Sequence, residues 1–145
     1  MSAGARRVVA PPGNPRPLGV WSHAIEVTAQ RLLFISGLTA RDADGDIVGI
    51  DDVARQTRQI LERLDATLRA AGGTLEDIAS VVVYVADATD FDAIHTVRRE
   101  FFPVDPPAST MVEVKRLVDP RCLIEINAVA ALPTAATTLS EELTR

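Results

Sequence analysis

The chain has 145 residues, 47% of them hydrophobic and 24% charged, with a formal net charge of −5, which is the size and balance of one globular domain. Acids and bases are interspersed without a basic stripe, which argues against a nucleic-acid partner, and no apolar run reaches the ~18 residues of a membrane span. Cys122 is the single cysteine, which excludes an internal disulfide and fits a reducing, cytoplasmic setting.

The opening "MSAGARRVVAPPGNPRP" has no apolar stretch ahead of its prolines, so it is not read as a secretory signal. Residues 1–18 are expected to form an extended arm. "RLLFISG" (31–37) is a short apolar strand closed by Gly37. Asp44-Gly45 is a hairpin signal, with Ile47 and Val48 continuing beyond it. The acids around it lack the glycine and closing glutamate of a calcium loop, so no metal is expected there.

Residues 51–71 predict the clearest helix, because Val53, Ile60, Leu61, Leu64, Leu68 and Ala71 fall on one stripe. Asp51 and Asp52 suit its start, Arg69 suits its end, and Gly72-Gly73 stops it. A helical turn begins near Thr74. A strand follows over Ser80–Ala86, apolar on both faces apart from Tyr84, which predicts burial on both sides. Thr89 or Asp90 caps a second helix, "FDAIHTVRREFF", which ends before Pro103. "TMVEV" (110–114) alternates as a strand, Asp119-Pro120 turns, and residues 123–131 form the last strand. The order is β-hairpin-α-β-α-β-β, an α+β domain with a mixed sheet packed by two helices. The tail, 133–145, suggests at most a short terminal helical turn.

The last strand sets Glu125 and Asn127 on one face. A buried carboxylate costs several kcal/mol unless it is paired or hydrogen-bonded. Glu125 therefore marks either a solvated face or a cleft where it holds a water or takes a proton. His23 lies in "GVWSHAI", and His95 sits beside the stripe of Phe91, Ile94 and Val97. The two do not have the spacing of a metal pair. Nothing beside Cys122 marks it as a nucleophile. Ser109 and Thr110 follow prolines at a loop-to-strand junction, where hydroxyls and backbone N–H groups either face a ligand or serve the turn. Spacing alone names no reaction.

Five stretches in register resemble the RidA family of reactive-intermediate deaminases, also labelled L-PSP endoribonuclease-like. They are "GVWSHAI" (19–25), "LLFISGLT" (32–39), "AGGTLEDIASVVVYVADATDFDAIHTVRREFF" (71–102), "PPASTMVEVKRL" (106–117) and "LIEINAVA" (123–130). The resemblance implies one RidA-like (chorismate mutase-like) domain over 19–132, assembled as a homotrimer with clefts at the subunit interfaces. It also implies hydrolysis of 2-imino and 2-enamino acids to 2-oxo acids and ammonia, with no cofactor or metal. In that family a glutamate of the final strand positions the attacking water, which places Glu125. Gly37 looks like the glycine whose backbone lines the cleft, and Met111 like the N–H donor that follows the family's arginine position. Trp21 stands where the family has a tyrosine, and His95 where it has an asparagine.

One departure matters most. The family reads Pro-Ala-Arg-Ser, its arginine clamping the substrate carboxylate, and this chain reads Pro107-Ala108-Ser109-Thr110. A hydroxyl cannot replace a bidentate, charge-assisted clamp. Arg116 does not look like a displaced copy, since family members often carry it alongside the clamp. The expectation is therefore a hydrolase of a small reactive imine or enamine other than a classical 2-imino acid. Glu125 would orient the water. His95, with an ordinary pKa of about 6.5, would supply a hydrogen bond or a proton. Ser109, Thr110 and the Met111 N–H would hold the substrate's polar group, with Trp21 as a stacking wall. The alternative is a non-catalytic metabolite-binding or chaperone-like homotrimer. Ribonuclease activity follows only from the family's older label, and the acidic balance argues against it.

Overall fold

The computed structural model describes residues 6–134. It contains strands β1 (Arg6–Val9), β2 (Ala24–Val27), β3 (Arg31–Leu38), β4 (Ile78–Val85), β5 (Ala108–Glu113) and β6 (Ile124–Leu132), with helices α1 (Val53–Ala70) and α2 (Phe91–Phe101). β1 and β2 pair antiparallel, and the main sheet runs β3-β6-β4-β5. Within it β4 and β5 are parallel, joined across α2, and the other pairs are antiparallel. This is the expected α+β fold with a mixed sheet. The helical turn expected for the tail lies outside the described residues.

Both helices cover the same face of the sheet. α1 starts where the Asp52 carboxylate accepts the Arg55 N–H at 3.0 Å, an N-cap that satisfies one of the helix's free donors. It buries Val53, Ile60, Leu61, Leu64 and Leu68, and Gly72 takes φ +83° just past its end. Gln56 ties this helix to the start of β6. Its Nε2 donates to the Arg121 carbonyl at 2.9 Å, and its Oε1 accepts the Leu123 N–H at 2.8 Å. Against the helices lie Val81, Val83 and Val85 of β4, with Ile124, Ile126, Ala128 and Ala130 of β6. Each fully buried aliphatic side chain of this kind contributes roughly 1.5–3 kcal/mol.

Within the N-terminal segment, Arg6–Val9 is extended and pairs with Val27–Ala24, and Arg6 Nη2 donates to the Asp105 carbonyl at 2.8 Å. Two expectations change. Asp44-Gly45 does turn the chain, with Gly45 at φ +87°, but beyond it only the single bridge Arg41↔Ile47 forms. The acids there serve the turn, Asp42 Oδ1 accepting the N–H groups of Asp44 and Asp46 at 2.9 and 3.0 Å. Finally, β4 is fully buried on one face only. Val82 and Tyr84 face the other way and are half-buried, because both helices pack on the opposite side.

Candidate functional site

The sheet divides the expected site residues between its two faces. On the helix side, β5 contributes Ser109 and Met111, two residues apart and therefore on one face. They lie opposite Val81 and Val83 in register. α2 contributes Phe91, His95 and Arg98, spaced i, i+4, i+7 on one helical face. Trp21 arrives from the segment before β2. Its neighbour Ser22 bridges to Ala108, donating its N–H to the Pro107 carbonyl at 3.1 Å and its hydroxyl to the Pro106 carbonyl at 2.5 Å. These six side chains enclose a cavity of about 200 Å3.

His95 is the centre of its aromatic wall, with ring centroids 4.1 Å from Phe91 and 5.8 Å from Trp21. Its Nδ1 accepts the Val20 N–H at 3.0 Å, which puts the ring proton of the neutral form on Nε2. Nε2 is buried without a partner among the described residues. A side chain at Gly19 would press within 2.7–2.8 Å of this ring, so the glycine is what lets the chain cross it. Burial, with the charges of Arg98 and Arg99 on the same helix, lowers the His95 pKa to about 4. The expected proton donor near neutral pH is thus a neutral imidazole. Its polar contact is structural on one side and unfilled on the other.

Arg98 was not among the sequence candidates. The residue is 1% exposed, and its Nη2 donates to Ser109 Oγ at 3.1 Å. The signal available in sequence was its place on the stripe: Arg98 is four residues after Ile94 and seven after Phe91, where an apolar residue belongs.

On the open face, Glu125 and Asn127 of β6 stand opposite Tyr84 and Val82 of β4. With Ser36, Gly37 and Arg116 they border a hollow of about 480 Å3. The Glu125 carboxylate lies against the Gly37 backbone, where an added Cβ would collide with its Oε1. This close approach occurs at a break in the β3–β6 register between Ile35 and Leu38. Asn127 Oδ1 is buried without a partner among the described residues. Thr110, between Ser109 and Met111, also points to the open face, opposite Val82. His23 is exposed and hydrogen-bonded to the Pro15 carbonyl at 2.9 Å. Cys122 is a buried thiol whose pKa burial raises, the opposite of an activated nucleophile.

The structure therefore brings Trp21, His95, Ser109 and Met111 together, and Glu125 with Gly37 separately, on the other side of the sheet. Within one chain, Glu125 and His95 lie on opposite sides of the sheet. The reason is the pleat: Ser109 and Glu125 sit on strands of one sheet but on opposite sides of it.

The sequence pattern of the family described as Endoribonuclease L-PSP matches residues 12–132. The 3-aminoacrylate deaminase RutC of Acinetobacter baylyi is 37% identical over 125 residues, covering 86% of this chain and 97% of that protein. A RutC family protein of Pyrococcus horikoshii is 39% identical over 125 residues, with the same coverage of 86% and 97%. Among solved structures, the Rid family protein YyfB of Yersinia pestis superposes with a TM-score of 0.82 at 35% identity, covering 88% of this chain and 98% of that one. With that fold, and with the family pattern running through both groups of residues, the chain belongs to the RidA (Endoribonuclease L-PSP) family.

Proposed function

We propose that this protein hydrolyses a small reactive imine or enamine, releasing ammonia, and that it works as a homotrimer. The observation that carries the reading is Glu125: a carboxylate lying against a glycine backbone in an accessible hollow, with no ion-pair partner among the described residues. Such a group can accept a proton from water as the oxygen adds to the imine carbon. Returned to nitrogen, that proton lets the C–N bond break, so C=N plus water becomes C=O plus ammonia. An enamine reaches the same path after protonation at carbon. The likeness to a 3-aminoacrylate deaminase supports this chemistry.

Assembly joins the half-sites. One face of the sheet lies uncovered, with Leu32 53% and Phe34 73% exposed and Val112 also exposed. An apolar face of this kind is what subunit contacts cover. Packing it against the next copy would set the Glu125 hollow of one subunit beside the aromatic cavity of its neighbour. Position 109 offers the substrate a hydroxyl and no charge, so any negative charge on the substrate must be met from elsewhere in that cavity.

The test couples an amino-acid oxidase, which generates imines from a panel of amino acids, to semicarbazide, which traps what survives. The expected result is suppressed trapping by the wild-type protein and none by Glu125→Ala. Equal suppression by both proteins would remove Glu125 from the mechanism. The second reading, a non-catalytic binder, draws on the neutral His95, which leaves the helix-side cavity without an acid near pH 7. It predicts saturable ligand binding with no ammonia released.

A further inference from the structure

Arg98 is a charge where the fold would place an apolar side chain. It is buried on α2 between Ile94 and Phe101. Its Nη1 has no partner among the described residues, and none of their carboxylates forms an ion pair with it. Burial lowers its pKa to about 10, so it remains charged at neutral pH. Stripping a charge of its water costs more than one hydroxyl contact returns. A guanidinium in this state is short of an anion.

We infer that Arg98, with Ser109, forms the seat for the carboxylate of a small substrate, the charge absent from position 109 being supplied by the neighbouring helix. The inference rests on the reading of this cavity as the substrate half-site. Ser109 Oγ already accepts from Arg98 Nη2, so its own proton is free to donate. Nη1 and the Ser109 O–H are then the two donors left to meet the two oxygens of a carboxylate. Trp21, Phe91 and Met111 supply apolar walls for the rest of the molecule. At about 200 Å3 the cavity is smaller than the usual range of drug-sized sites, so the body it holds is a few carbons. Position 109 in isolation argues against a classical 2-imino acid; with Arg98 beside it, a carboxylate becomes the favoured ligand.

The experiment measures binding rather than turnover. Trp21 is the only tryptophan and lines the cavity, so its fluorescence in the full-length protein reports occupancy, with calorimetry as a second readout. The probes are pyruvate and its uncharged methyl ester. The wild-type protein is expected to prefer the acid, and Arg98→Gln to lose roughly 10- to 150-fold in affinity for it, the range for a hydrogen bond to a charged group, with the ester unchanged. Arg98→Lys, which keeps the charge without the fork, should retain part of the preference. The inference is overturned if the wild-type protein binds the acid no better than the ester, if it binds neither, or if Arg98→Gln keeps the preference. Should Arg98→Gln fail to fold, the wild-type ratio and Arg98→Lys decide. Turnover without acid preference would leave the hydrolase reading standing and remove this one, and acid preference without turnover would do the reverse.

Discussion

At His95 the surroundings, more than the residue type, decide the chemistry. The residue is 1% exposed, its Nδ1 is committed to the Val20 N–H, and burial lowers its pKa to about 4. Because that lies below the ordinary value of about 6.5, the unfolded chain takes up the proton first as pH falls. The stability linked to a neutral His95 is complete above pH 6.5 and is lost as pH drops towards 4. One linked proton costs about 1.4 kcal/mol per pH unit in that window. In His95→Asn, the carboxamide oxygen can keep the Val20 N–H as donor but has no proton to bind. Urea unfolding at about pH 7.5 and pH 5 should show a smaller loss for His95→Asn than for the wild-type protein. An equal loss in both would assign the pH dependence to another group. Asp119 is distinguishable: its bonds from Arg121 hold its pKa near 2, so its stabilisation persists until far lower pH.

At the scale of elements, the irregular part of β3 matters more to the site than its regular part. The ladder with β6 slips between Ile35 and Leu38, as β-bulges do near functional sites, and there Gly37 lets the Glu125 carboxylate settle on the backbone. Gly37→Ala would push that carboxylate aside while leaving the core untouched. A displacement of about 1 Å is enough to cost ~100-fold in a positioned reaction. The expected outcome is a loss of that order in turnover in the trapping assay, with little change in melting temperature. A variant as active as wild type would show that the carboxylate's resting place is not its working place. The strand itself was plain in "RLLFISG", and Gly37 was expected at its end. The slip was not, because it arises from pairing with a strand some ninety residues away.

For the whole molecule, the proposed homotrimer has to bring two groups of residues on opposite faces of one sheet into one site. Phe34, 73% exposed on the open face, is the largest apolar group left uncovered there. Phe34→Asp would bury a carboxylate in any contact between copies that uses this face. Light scattering coupled to size exclusion should give a trimer for the wild-type protein and a monomer for Phe34→Asp, and the monomer should lose turnover while keeping its circular dichroism. A Phe34→Asp trimer with full activity would mean that another surface joins the subunits.

Much of the architecture was determined by local pattern. The α1 stripe, the capping aspartate, the glycines after Ala71 and the alternation of β6 each depend on near neighbours, and 3.6- and 2-residue periods express them directly. The apolar second face of β4 was also legible, although one chain leaves it only half-covered. The pairing of Arg6–Val9 with β2 lacked any such signal, since four residues carry too little period to be read. Tertiary structure alone decided which site residues share a cavity. Ser109 and Thr110 are adjacent in sequence yet face opposite sides of a sheet. Arg98 and Ser109, separated by a turn and a proline-rich loop, come within 3.1 Å. Sequence shows the charge lost at position 109, but a charge regained at position 98 is visible only once helix α2 is laid across strand β5, because the cavity is made by their packing and by neither element alone.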